Sequence, residues 1–122
     1  MTYYAGFVAA VPDGNREAFV AHAKEAWERI FKPLGALSTT DCWGDDVPDG
    51  EVTSFPMAVK AEAGETVVFS WIERPDKATH DAANARMMSP EFAEEISDMA
   101  EMPFDGKRMI FGGFAPVVEL RA

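Results

Sequence analysis

The sequence predicts an α+β fold: one antiparallel four-stranded sheet with its helices on one face. Two observations carry this. The segments follow the order strand, helix, strand, strand, helix, strand, set off by turns rich in Gly, Pro and Asp, and the helical segments repeat apolar residues every three or four positions while the strand segments run together apolar and aromatic residues. At 122 residues the chain has the size of one domain, spanning 1–122.

Residues 3–11, Tyr-Tyr-Ala-Gly-Phe-Val-Ala-Ala-Val, read as a first strand closed by the turn Pro12-Asp13-Gly14-Asn15. From Asn15 to Leu34 the residues Phe19, Ala23, Ala26, Trp27, Ile30, Phe31 and Leu34 form one stripe of a helix, with Asp13 or Asn15 as N-cap and Gly35 as C-cap. Residues 36–43 read as a second strand, stopped by Gly44-Asp45-Asp46-Val47-Pro48-Asp49-Gly50. Met57–Ala61 reads as a short edge strand. Glu65–Glu73 gives the strongest strand signal, with Val67, Val68, Phe69, Trp71 and Ile72. Pro75-Asp76 opens a helix to about Met88, with Ala78, Ala82, Ala85 and Met88 on its apolar face, and Ser89-Pro90 caps a short third helix through Ile96. Lys107–Leu120 reads as the last strand, bent at Gly112-Gly113.

This βαββαβ order is the ferredoxin-like pattern. Helices cover only one face of such a sheet, yet the strands show little polar alternation, so the second face calls for cover. A second copy of the chain is the simplest cover, and a homodimer is expected.

The net charge of −10, from 21 acidic and 11 basic residues, opposes binding to nucleic acid or to anionic membranes. No apolar run reaches spanning length, and the N-terminus lacks the pattern of a signal peptide, so a cytoplasmic protein is expected. The one cysteine, Cys42, reads as a small buried strand residue. The acidic loop from Asp45 to Glu51 fails the spacing of a calcium loop, because Pro56 falls where the bidentate glutamate belongs. Nucleotide, serine-hydrolase and zinc-protease signatures are missing, and no cofactor or metal is expected.

His22 and Asp41 are the candidate catalytic bases. By helical angle His22 borders the apolar stripe, whereas His80 falls opposite Ala78 and Ala82, toward the surface or an interface. Asp41, Trp43, Phe69, Trp71 and Glu73 share parity on their strands and are expected to line one sheet face. Trp43, Trp71 and Glu73 are therefore candidate ligand-binding residues, with Arg108 as anchor for an anionic group; a dimer interface is an equal reading of the aromatics, and ion pairing across the dimer a competing one for Arg108.

Met1-Thr2-Tyr3 with Gly6-Phe7, then Cys42–Pro48, Thr53-Ser54-Phe55-Pro56, Val67–Trp71, and Met102–Met109 with Gly112-Gly113-Phe114 run through nearly the whole chain. On these motifs the sequence resembles the YbaA-like family of unknown function. The resemblance implies a dimeric α/β barrel of two ferredoxin-like halves and implies no reaction. The leading expectation is a homodimer that binds a small aromatic or amphipathic molecule between sheet and helices; if it is an enzyme, the expected chemistry is cofactor-independent proton transfer or monooxygenation. The alternative is a non-catalytic dimeric binding or assembly module, and a haem or metal enzyme is a third and weaker reading.

Overall fold

A computed structural model describes residues 1–122. Its elements are β1 (Tyr3–Pro12), α1 (Arg16–Ala26), β2 (Ser38–Trp43), α2 (Phe55–Ala58), β3 (Glu65–Arg74), α3 (Lys77–Met87), α4 (Pro90–Glu95) and β4 (Ile110–Phe114). The strands form one sheet in the order β2-β3-β1-β4, with every neighbouring pair antiparallel. The sheet order and the helices complete a ferredoxin-like α+β fold, as the segment order predicts. No helix is long and apolar enough to cross a membrane.

Register assigns each strand residue to a face. Tyr3 pairs with Arg74, Ala5 with Ile72, Phe7 with Ser70 and Ala9 with Val68, and on β2 Asp41 pairs with Ser70 and Trp43 with Val68. These residues share the face that carries the helices. Tyr4, Gly6, Val8, Phe69, Trp71, Glu73, Ile110 and Phe114 point the other way. Asp41 and Trp43 therefore do not share a face with Phe69, Trp71 and Glu73, contrary to the parity expectation. The register of β2 on β3 pairs odd-numbered residues with even-numbered ones, and parity along the chain cannot reveal that.

The α1 helix continues through a π-helical turn, Trp27–Phe31, and ends at Gly35, whose φ of +94° is left-handed. A Cβ there would also lie 2.7 Å from Thr79 Cγ2, so both backbone and space call for glycine. Neither expected N-cap acts as one: Asn15 Nδ2 donates to Pro103 O at 2.9 Å, and Asp13 Oδ1 accepts from Thr66 Oγ1. Under the helices, Val11, Phe19 and Val68 form a core cluster against which Trp43 and Phe104 pack.

The expected edge strand at Met57–Ala61 is instead the short helix α2. Ser54 Oγ accepts from Met57 N at 3.1 Å, and Pro56 sits in the first turn, where its missing donor does no harm. The loop carrying α2 seats Val59 against Val8, Ala10 and Val67, which closes one end of the second sheet face. The rest of that face stays open. The last strand is shorter than expected, ending at Phe114, and Gly112-Gly113 lies within it without breaking the pairing to β1. Cys42 is exposed on the open face of the single chain, not buried.

Candidate functional site

Between the sheet and the helices lies a cavity of about 710 Å³. The α1 helix contributes Phe19, His22, Ala23 and Ala26 and its π-helical continuation Ile30, all within one helix face. The sheet contributes Ala5, Phe7, Asp41, Ile72 and Arg74, and α3 contributes His80, Asn84 and Met87, again one helix face. The stretch before β4 adds Met102, Phe104 and Met109. Most of this wall is apolar, and the polar groups are few.

Those polar groups form a linked set. Arg74, the last residue of β3, is 1% exposed, and its Nη1 lies 2.9 Å from His80 Nδ1. Arginine can only donate, so His80 Nδ1 accepts, and the neutral ring carries its proton on Nε2. Asn84 sits 3.0 Å from that Nε2 and serves as its partner when the amide oxygen faces the ring. Burial, and then the adjacent Arg74 charge, hold the His80 pKa below the ordinary histidine value. Burial also lowers the pKa of Arg74, with no carboxylate to offset it, and its Nε and Nη2 have no partner. The Tyr3 ring lies 4.7 Å from that of His80, centroid to centroid. Elsewhere in the cavity, Ser70 Oγ donates to Asp41 Oδ1 at 2.6 Å, and His22 Nδ1 is buried without a partner.

Of the candidate residues read from sequence, His22 and Asp41 line this cavity. Trp43 lies on the same face but outside the cavity, packed on Phe19 at 6.3 Å and under Arg16 at 5.4 Å. Trp71 and Glu73 are on the opposite, open face. There the Trp71 ring lies tilted against Phe69 at 5.5 Å, and Phe69 meets Phe55 edge to face at 5.8 Å, along a groove of about 680 Å³ that Tyr4, Ile110 and Phe114 also border.

Arg108 is taken up within the chain, outside the cavity. It pairs with both Glu65 oxygens at 2.8 Å, donates to Lys60 O at 2.9 Å and reaches Asp105 at 3.1 Å. Its hydrogen bonds pull the Glu65 pKa down to about 2. This clamp fixes the stretch that brings Met102, Phe104 and Met109 to the cavity, which is an intrachain ion pair and not a free anion anchor.

Arg74, His80 and Asn84 were not among the site residues read from sequence, and His80 is buried against the sheet where a position at the surface or an interface was expected. Alanine contributes little transfer energy, so the Ala78–Ala82–Ala85 stripe does not decide which side of α3 turns inward. Those alanines are exposed, and His80, Ala83, Asn84 and Met87 face the sheet. The available signal was an arginine at the inward parity of the most apolar strand.

Comparison with known proteins agrees with this architecture. A model of a protein family of unknown function, DUF1428, matches residues 2–106. The uncharacterized protein YbaA of Escherichia coli strain K12 is 52% identical over 119 residues, covering 98% of this chain and 99% of that protein, and the YbaA protein of Shigella flexneri matches equally. A crystal structure of a dimeric ferredoxin-like protein from an uncultured marine organism superposes with a TM-score of 0.57 at 15% identity, covering 98% of both chains, a likeness of fold alone. By family model and by sequence identity alike, this chain belongs to the DUF1428 family, together with YbaA.

Proposed function

We propose that this chain is a small-molecule-binding protein that works as a homodimer, with its ligand held between sheet and helices. The observation that carries the reading is the cavity: about 710 Å³, largely apolar, with His22, Asp41, Arg74, His80 and Asn84 among its walls. Ligand sites typically enclose about 300–1,000 Å³ with a few placed polar groups, whereas a chain that only assembles has no use for such a space. Catalysis within it would be proton transfer or oxygenation without a cofactor, with His22 or Asp41 as base. Its setting on this reading is the cytoplasm, where the single thiol of Cys42 stays reduced.

The homodimer follows from the other face. The single chain exposes 8123 Å², whereas a compact monomer of this length exposes about 6,500 Å²; the excess is about twice what one protomer loses in a standard interface, about 800 Å², and within the range of obligate dimers. Phe69 is 46% exposed and Phe114 60% exposed on that face. The structural relative from the marine organism is itself described as dimeric. This apolar face also favours the second reading, a non-catalytic assembly module, and ligand binding separates the two.

The test is a thermal-shift screen against metabolites, quinols, haem and metal ions, run on the wild type and on Ala23→Phe, which fills the cavity. A ligand at about one hundred times its Kd adds about 2.7 kcal/mol to stability, about 10 °C in Tm for a chain of this length. Stabilisation of the wild type that is lost in Ala23→Phe is expected; stabilisation by no compound, or equally in both proteins, refutes the ligand site. Sedimentation of Phe69→Glu addresses the dimer: a monomer is expected, and an unchanged dimer moves the interface elsewhere.

A further inference from the structure

We infer that the cavity takes a carboxylate, a singly charged acid on a largely apolar body, and that Arg74 receives it through Nε and Nη2. The inference rests on the cavity being a ligand site and adds the class of ligand.

Three other arginines of this acidic chain have carboxylates, while the exposed Arg16 lies over the Trp43 ring and Arg121 is exposed near the C-terminus. Arg29 pairs with Asp98 at 2.7 Å, Arg86 with Glu95 at 2.6 Å and Arg108 with Glu65 at 2.8 Å. Arg74 is the most buried of them and has none; its one partner is the neutral ring of His80. A buried guanidinium with two unpaired N–H groups is unfavourable unless something supplies the missing charge. The unpaired atoms are Nε and Nη2, neighbours on one edge of the guanidinium whose parallel N–H bonds match the two oxygens of one carboxylate; both are closed to water in the single chain, so a carboxylate reaches them by displacing the side chains that cover them.

The surroundings select among anions. The other ionisable groups of the wall are His22, His80 and Asp41, and Asp41 is an acid, so one guanidinium is the fixed positive charge available. It neutralises a carboxylate and leaves a phosphate dianion half compensated. Phe19, Ile30, Phe31, Met87 and Met109 accept an apolar body, and the methionines adapt to its shape. His80 is a positioning residue: with Tyr3 against its ring and Asn84 at Nε2, it holds Nη1 and so sets the direction of the free edge.

The probes are octanoate and 4-phenylbutyrate, their uncharged amides, and octyl phosphate, titrated into the full chain by calorimetry. In the wild type the acids are expected to bind at least tenfold more tightly than the amides; in Arg74→Met, an apolar replacement of similar length, the preference disappears. His80→Gln, which keeps an acceptor for Nη1, retains the preference, and His80→Leu reduces it. If Arg74→Met fails to fold, the Arg74 Nε–H resonance, assigned by its loss in Arg74→Lys, is expected to move on adding octanoate. Equal binding of acids and amides, a preference that survives in Arg74→Met, tighter binding of octyl phosphate, or an unmoved resonance overturns the inference. Equal binding leaves the cavity a ligand site and removes only the role of Arg74. Binding of neither class also overturns it, and the Ala23→Phe screen decides separately whether the cavity holds any ligand.

Discussion

Replacing Gly113 by alanine tests the packing of the site wall at its tightest point. Gly113 lies on the helix-bearing face of β4, and a Cβ there would sit 2.7 Å from Tyr3 Oη, 2.8 Å from Tyr3 Cε2 and 2.8 Å from His80 Nε2. Real Cβ contacts are rarely closer than 3.0 Å, so the neighbours have to move by several tenths of an ångström. Neither moves freely: His80 is bonded at both ring nitrogens, and the Tyr3 ring is packed against it at 4.7 Å. Overpacking of this kind costs about 1–3 kcal/mol, and with both neighbours anchored about 2 kcal/mol is expected. At about 2.1 cal/mol/K per residue of unfolding entropy, that is a Tm lower by about 8 °C. The assay is thermal and urea unfolding of Gly113→Ala, Tyr3→Phe and the double variant, with Gly14→Ala as control, since a Cβ at Gly14 meets nothing within 4 Å. Removing the Tyr3 hydroxyl relieves the closest contact but not those with Cε2 and His80, so the double variant is expected to regain part of the loss, a coupling of about 0.5–1 kcal/mol. A Gly113→Ala protein as stable as Gly14→Ala, or no coupling to Tyr3, would refute the geometry of the site.

Two pH effects follow from the ion and hydrogen-bond partners. Glu65 titrates at about 2 when folded against an ordinary 4.5, so the unfolded chain takes up the proton first; the pair with Arg108 stabilises the fold above 4.5, and that stability is lost as pH falls toward 2. Glu65→Gln is expected to lower stability by about 2 kcal/mol at neutral pH and to flatten the acid limb of a urea-midpoint profile; an unchanged acid limb contradicts the clamp. His80 has its pKa lowered below 6.5, so the unfolded chain again binds the proton first, and stability declines as pH falls through and below that value. Arg74, Tyr3, Asn84, Lys77 and Asp81 surround it, and Asp81 alone among the charged groups favours protonation. The loss between about pH 7 and 5 is expected to be smaller in His80→Gln, which does not titrate, and equal slopes would show that His80 is not the group responsible.

What the sequence disclosed of this fold divides by the size of the side chains that carry the signal. The strand Glu65–Arg74 was legible from its run of β-branched and aromatic residues, and the inward face of α1 because Phe19, Ile30 and Phe31 are large enough to leave no choice of side. The face of α3 was not, since alanines are nearly indifferent to burial and the inward positions hold His80 and Asn84. Met57–Ala61 follows Ser54 and Pro56, the cap and first-turn proline of a helix, and these local signals outweigh the strand reading of a segment so short. The site was half legible: His22 was placed by its position next to the α1 stripe and Asp41 by its chemistry. Trp71 and Glu73 were grouped with Asp41 by a parity that the register of β2 on β3 inverts. Arg74 lies next to Glu73 in the sequence and on the other side of the sheet.

That alternation along β3 explains how a chain of this size can present two surfaces of different character. Phe69, Trp71 and Glu73 look out over the open groove, while Val68, Ser70, Ile72 and Arg74 look into the core and the cavity. Side chains one residue apart on a strand are separated by the thickness of the sheet and share few neighbours, so substitutions on the two faces act nearly independently. Gly6, Phe7, Phe111 and Gly112 border both the cavity and the groove, and Phe111, 78% exposed at the sheet edge, is the most open of them. If a second copy covers the open face, this ring is where pairing and access to the cavity meet. Coupling between association and ligand affinity therefore belongs at Phe111 and not at Trp71 or Arg74, each of which serves one face alone.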